Sequence, residues 1–361
     1  MYIIFISLCH GGTQLLNAHF SRAIHSAVRD WMLENSLDTC LSALDHPSQL
    51  GAILLPGIEA SLAKVDVELY DVQEHAWTNP MIHLRAAFEI HQDLPETPSA
   101  FTPVPNVATT IAARACAVAC LAALNSDTVS YGSENGGDLF VNLVVMAGDD
   151  EFAQKSKKDM RGHTDGVSFP LRGQPHEFDP RVAPSPDFVC LSGLRNPNST
   201  STTVMPLGAV LKQLSAEDIA ELTKPQYVLR PQKTFKLGLD SMFGARHPLA
   251  RPIENIQLLF EAGDGYWIRY SHSAGDADFD SDLPKQVLDR FEKACLDCST
   301  SVVISPGDLL VVNNRVGLHG RSEVGGEAGG ESRWLLRTYG LDTSDLTAAQ
   351  RYPESSFKLF P

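Results

Sequence analysis

Apolar residues recur at three- and four-residue steps early in the chain, at Leu15, Leu16, Phe20, Ile24, Val28 and Met32. That spacing puts them on one helical face and predicts a helical stretch over residues 13–45. The run Gly51-Ala-Ile-Leu-Leu-Pro-Gly57 is short, apolar and bounded by Gly and Pro, and reads as a buried strand. Residues 92–106 hold Pro95, Pro98, Pro103 and Pro105 and form an irregular connection. Asn106 then reads as the N-cap of an Ala-rich helix running to about Leu124. Cys116 and Cys120 lie one turn apart on it, as small thiols packed in a core.

Beyond residue 125 the period changes. Strands are predicted at 139–145, 188–191, 202–205, 257–260, 266–270, 302–304, 309–312 and 334–339. Many short strands separated by Gly, Pro and Asn turns predict a sandwich or barrel. Two helices interrupt the series. One opens at Ser215, with Asp218 three residues on, and one follows Pro284 with Val287, Leu288, Phe291 and Cys295 as its apolar stripe. One mainly β domain with flanking helices accounts for the pattern, spanning residues 1–361.

Charge changes this picture by exclusion. Asp and Glu outnumber Lys and Arg by 44 to 29, giving a formal net charge of -15, which argues against a nucleic-acid partner. The 7 cysteines are scattered without framework spacing, as in a reduced cytoplasmic protein. Cys295-Leu-Asp-Cys298 has no second pair to complete a zinc site and reads as plain helix cysteines. Residues 1–8 are apolar but too short to span a bilayer and poor as a signal peptide. They read as a buried strand or an oddly placed start.

The chemistry begins with His-x-Asp. The chain contains two such triplets, His163-Thr164-Asp165 and His91-Gln92-Asp93. The second runs into the Pro-rich connection, where the backbone is poorly held. The first sits among strands. Far downstream, Leu309–Val312 and the turn Asn313-Asn314-Arg315 deliver His319, and a returning strand carries Arg333 and Arg337. Four residues apart, these arginines face one side of a strand. Near a core, each requires an anionic partner. Two imidazoles and one carboxylate form the facial set that holds non-haem Fe(II) and leaves positions open. His176-Glu177 lies on a Pro-rich loop and reads as exposed.

The stretches HTD, LRNPNSTSTT, PGDLLVVNNRVGLHGR and RWLLRTYG together resemble Fe(II)/2-oxoglutarate-dependent oxygenases. The resemblance is to the clavaminate synthase-like branch of the taurine dioxygenase superfamily, over roughly residues 95–345. It implies a double-stranded β-helix (jelly-roll, cupin-like) core over roughly residues 130–345, with a helical N-terminal part packed on it. It also implies that His163, Asp165 and His319 bind iron and that Arg333 binds the distal carboxylate of 2-oxoglutarate, with Thr202 or Thr203 beside it. By the same resemblance Arg337 takes a substrate carboxylate, Glu134 its amine, and Asp240 reads the side chain.

The chain departs from much of that branch in carrying Asp rather than Glu as the carboxylate ligand. Related halogenases lack this carboxylate, so Asp165 points to hydroxylation. The implied reaction is hydroxylation of a free amino acid, lysine or arginine, using Fe(II), 2-oxoglutarate and O2, by a cytoplasmic monomer or weak homodimer. Two alternatives stay open, a carrier-bound or desaturated amino acid and a non-catalytic binding protein of the same fold.

Overall fold

The structure, a computed structural model, describes residues 10–148, 151–263, 265–277 and 282–361. In its largest sheet the strand Leu309–Asn313 pairs antiparallel with the edge strand Met81–Leu84 on one side and with Phe188–Arg195 on the other. Phe188–Arg195 pairs in turn with Trp334–Leu341, which also carries Asp127–Tyr131 and Val141–Val144. With Lys358–Leu359 at the edge this sheet has seven strands. A second sheet has four, in the order Thr300–Val303, Ser201–Pro206, Gly317–Arg321 and Met160–His163.

Alternation sorts each strand between two faces. Leu310, Val312, Val189, Leu191, Leu335 and Tyr339 point inward and meet Val204 and Val302 of the smaller sheet. Leu309, Val311, Cys190, Trp334 and Leu336 point outward into a helical layer. Both faces of the large sheet are therefore covered, which is why Leu309–Val312 reads as an unbroken apolar run. Each fully buried Leu or Val there contributes about 1.5–3 kcal/mol. The outer face of the smaller sheet is covered by helix Asp282–Asp297, whose Val287, Phe291 and Cys295 pack with Met205 and Leu318. Cys295 is thus core, as the lone Cys-x-x-Cys spacing implied.

The helical layer departs from expectation in three places. Residues 51–57 are not a strand but the middle of helix Pro47–Ala63. A seven-residue apolar run fits either state, and here Pro47 at the first turn together with Leu50, Leu54, Ile58 and Leu62 on one face settles it as a helix. The helix predicted over 13–45 breaks after His10–Glu34, because Ser36 caps a new helix, Leu37–Ala43, by accepting from Thr39 N–H. The Ala-rich helix Ala108–Ala123 is capped by Val107, not Asn106, whose Oδ1 accepts from Arg114 instead. Its Cys116 and Cys120 are buried, as expected.

The strand expected at 257–260 begins later, as Leu259–Ala262. The stretch 1–8 lies outside the described residues. No helix among the described residues is long and apolar enough to cross a membrane.

Small residues let the helices approach closely. A Cβ on Gly51 would stand 2.7 Å from the Cβ of Ala122. In an open helix Gly→Ala stabilises by about 1 kcal/mol. Here Gly51→Ala is expected to destabilise instead, by about 1–3 kcal/mol through overpacking. Urea unfolding of the variant checks the sign, and a raised midpoint would contradict this helix contact.

Candidate functional site

Strands Met160–His163 and Gly317–Arg321 are antiparallel neighbours, and His163 lies directly opposite His319. Opposed residues project to the same face, so the two rings meet with centroids 4.4 Å apart. His319 is also opposite Val204, whose side chain belongs to the core between the sheets, so both imidazoles point inward. Asp165 lies two residues past His163, beyond the strand end. Its Oδ1 is 3.5 Å from His163 Nε2 and its Oδ2 is 3.7 Å from His319 Nε2. All three side chains are buried, and their ligand atoms lie within 4.8 Å of one another.

The protonation states suit a cation. His163 Nδ1 is 3.0 Å from the carbonyl of Arg161, and donation to it leaves Nε2 as the free lone pair. Burial and the neighbouring His163 push the His319 imidazole below its ordinary value, toward the neutral form that ligates. Burial works to raise the Asp165 carboxyl, but the adjoining His163 and His319 rings outweigh it and hold the group well below the usual carboxylate range. Ligands about 2.1 Å from one ion sit about 3 Å apart, and the two carboxylate-to-imidazole separations, 3.5 and 3.7 Å, lie near that spacing. Among the described residues this is the one such cluster. The rival pair behaves differently. His91 is exposed, and Asp93 accepts from the Thr109 hydroxyl at 2.7 Å.

Two arginines enter the same interior. Arg333, just before strand Trp334–Leu341, is 5% exposed, and its buried Nε has no hydrogen-bond partner. Burial and the nearby Arg321 bring its pKa down to about 9. A buried guanidinium next to a second one calls for an anion, and none of the described carboxylates pairs with it. Thr202 is opposite Arg321 and two residues from Val204, so it shares the inward face of His319. Thr203 is opposite Gly320 and faces the other way.

Arg337, in contrast, is paired. Its Nη2 donates to Glu134 Oε2 at 2.7 Å, and Thr234 Oγ1 donates to Glu134 Oε1 at 2.9 Å. Burial opposes the charge of Arg337, but Glu134 overrides it and raises the pKa above the ordinary value.

Asp240 sits on helix Lys233–Phe243, and its Oδ2 accepts from Lys236 Nζ at 2.6 Å, one turn away. Its Oδ1 is buried with no hydrogen-bond partner among the described residues, so the carboxylate keeps a free acceptor. His176 is not exposed. It is buried, and its Nδ1 accepts from the backbone N–H groups of Phe178 and Asp179, because the turn needs an acceptor there. Sequence reasoning also missed Asn314 and Gln232, which bond the backbone around Asp165. Their only signal was the turn Asn313-Asn314-Arg315, read as a connector.

Two facing sheets with two histidines and one carboxylate on an inward face, beside an unpaired buried arginine, define the class of non-haem iron oxygenase sites. The chain belongs to the taurine catabolism dioxygenase TauD, TfdA family, whose model matches residues 121–339. It is 26% identical over 227 residues to the L-lysine 3-hydroxylase of Catenulispora acidiphila, covering 58% of this chain and 54% of that one. It is 22% identical over 233 residues to the enduracididine beta-hydroxylase of Streptomyces hygroscopicus, covering 60% and 64%. The matched part thus spans less than two thirds of either relative.

Among solved structures, the fold is shared with the non-heme iron oxygenase OrfP in complex with Fe, succinate and (3S)-hydroxy-L-Arg. That match has a TM-score of 0.71 at 20% identity over 94% of this chain and 97% of the other. An asparagine oxygenase in complex with Fe(II), 2S,3S-3-hydroxyasparagine and succinate matches with a TM-score of 0.67 at 20% identity over 90% and 97%.

The Arg337–Glu134 pair makes a stability prediction. Glu134→Ala strands a buried guanidinium and is expected to cost about 3–5 kcal/mol. Denaturant unfolding measures it, and an unchanged midpoint would contradict the pairing.

Proposed function

We propose that this chain is an Fe(II)- and 2-oxoglutarate-dependent hydroxylase of a free amino acid, built as one oxygenase domain around a jelly-roll core. His163, Asp165 and His319 hold the iron. Iron bound there supplies oxidation of an unactivated C–H bond at the expense of O2 and 2-oxoglutarate, which leaves as succinate and CO2. The protein's part is orientation and exclusion of side reactions. Arg333 fixes the distal carboxylate of 2-oxoglutarate with a guanidinium fork, and Thr202 contributes its hydroxyl from the same face.

The observation that carries the amino-acid reading is Arg337 against Glu134 at 2.7 Å in the interior that holds the metal residues. A cation and a carboxylate side by side complement the α-carboxylate and α-ammonium of an amino acid. Arg337 takes the first and Glu134 the second. The substrate side chain is basic, lysine or arginine, and the hydroxylases of lysine and of enduracididine among the relatives support an amino-acid substrate. A cationic end would meet Asp240, whose Oδ1 is unbonded while its Oδ2 holds Lys236. A non-catalytic binding protein would have no need of the complete triad together with an unpaired cosubstrate arginine.

Incubation of the protein with Fe(II), 2-oxoglutarate and each of the twenty amino acids separately tests this reading by mass spectrometry. Gain of one oxygen by lysine or arginine, with equimolar succinate, is expected, and no oxygenated product from any of them rejects it. His319→Ala is expected to reduce succinate release to background. Arg333→Ala loses charge-assisted hydrogen bonds and should raise the KM for 2-oxoglutarate about tenfold or more, while leaving the KM for the amino acid little changed. Equal changes in both would remove Arg333 from the cosubstrate.

A further inference from the structure

The strand that carries His163 ends there, so the backbone around Asp165 has no ladder partner to hold it. Two carboxamide side chains take that place. In the peptide group between Thr164 and Asp165, the carbonyl accepts from Gln232 Nε2 at 3.1 Å and the N–H donates to Asn314 Oδ1 at 2.8 Å. In the next peptide group the same residues exchange roles. The Asp165 carbonyl accepts from Asn314 Nδ2 at 3.0 Å, and Gly166 N–H donates to Gln232 Oε1 at 2.8 Å. All four backbone polar groups flanking the carboxylate are thus satisfied by side chains.

Asn314 is 2% exposed, adds a bond to the Pro186 carbonyl at 2.9 Å, and lies in the turn that leads into the His319 strand. Gln232 caps the helix whose Thr234 bonds Glu134, and its Nε2 stands 3.5 Å from Asp165 Oδ1. A carboxamide presents a donor and an acceptor on two separate atoms at one side-chain end, as bonding two successive peptide groups requires. Asp or Glu in either place keeps the acceptor and turns a second oxygen toward a carbonyl.

We infer that Asn314 and Gln232 are positioning residues for the third metal ligand. They act through the backbone of Asp165 and set the direction of its carboxylate. They also tie that ligand to the turn before His319 and to the helix behind Glu134. The inference rests on the metal assignment proposed above, and it predicts that iron affinity depends on two neutral amides that never touch the ion.

The test measures Co(II) affinity and the visible ligand-field spectrum for wild type, Asn314→Asp and Gln232→Glu, with Asn142→Asp as control. Asn142 is fully buried, with Nδ2 on the Pro103 carbonyl and Oδ1 accepting from Trp334 Nε1, but it bonds nothing in the ligand set. Outer contacts to metal ligands typically carry about 10–100-fold in affinity. That loss, with a changed spectrum, is expected for both clamp variants in samples that keep the wild-type far-UV circular dichroism. The control is expected to melt at a lower temperature with wild-type Co(II) affinity and spectrum.

Unchanged affinity and spectrum in folded clamp variants overturn the inference, and so does an equal loss in the control. Should Asn314→Asp not fold, Gln232→Glu decides alone, because its position is only half-buried. A wild type that takes up no Co(II) removes the metal assignment itself, and the clamp with it. That result is distinct from a loss confined to the variants.

Discussion

The direct opposition of His163 and His319 across one antiparallel strand pair is the constraint on which the site depends. Side chains alternate along a strand, so a slip of one residue would turn one imidazole out of the interior. The register is held from both sides. Gly317–Arg321 is fixed along its whole length against Ser201–Pro206, and the end of Met160–His163 is gripped on its other edge by Tyr270–His272. There Thr164 N–H donates to the Tyr270 carbonyl at 2.8 Å, and His272 N–H donates to the Gly162 carbonyl at 3.1 Å. Gly162 and Gly320, each beside a histidine, complete the fit. A Cβ on the first would strike Met205 and on the second the Met160 carbonyl. The metal geometry is therefore a property of sheet packing.

Buried charge divides the interior by purpose. Arg315 is closed off, ion-paired with Asp187 and stacked 4.1 Å from the ring of Trp267, so its charge is spent on holding the turn before His319. Arg337 is matched by Glu134 in a pair that an amino acid can enter. Arg333 has a buried, unpartnered Nε and, alone of the three, no acidic partner among the described residues. Three guanidiniums in one core are costly unless each has a task. Their different surroundings fit the proposed tasks of scaffold, substrate and cosubstrate.

What the sequence made legible follows from what is local. The doubly apolar run Leu309–Val312, the His-x-Asp triplet and the returning strand with its two arginines all carry their signal in a few adjacent residues. Residues 51–57 misled because a short apolar run has no period of its own, and the helix shows only when Pro47 and Leu62 are included. Strand Met160–His163 was invisible because Met160 and Arg161 are exposed and Gly162 has no side chain to mark a face. Asn314 and Gln232 reach Asp165 across 149 and 67 residues of chain, and no pattern within one stretch points to such bonds.

The central claim is that one Fe(II) and one 2-oxoglutarate meet at His163, Asp165 and His319. Anaerobic titration of 2-oxoglutarate into the Fe(II)-loaded protein addresses it directly. Chelation at an open iron face gives a visible charge-transfer band that Zn(II) in place of Fe(II) cannot give. The account predicts that this band saturates at one equivalent of iron and one of 2-oxoglutarate per chain, and that it is absent from His163→Ala. A band that persists in that variant, or none in the wild type, would contradict it.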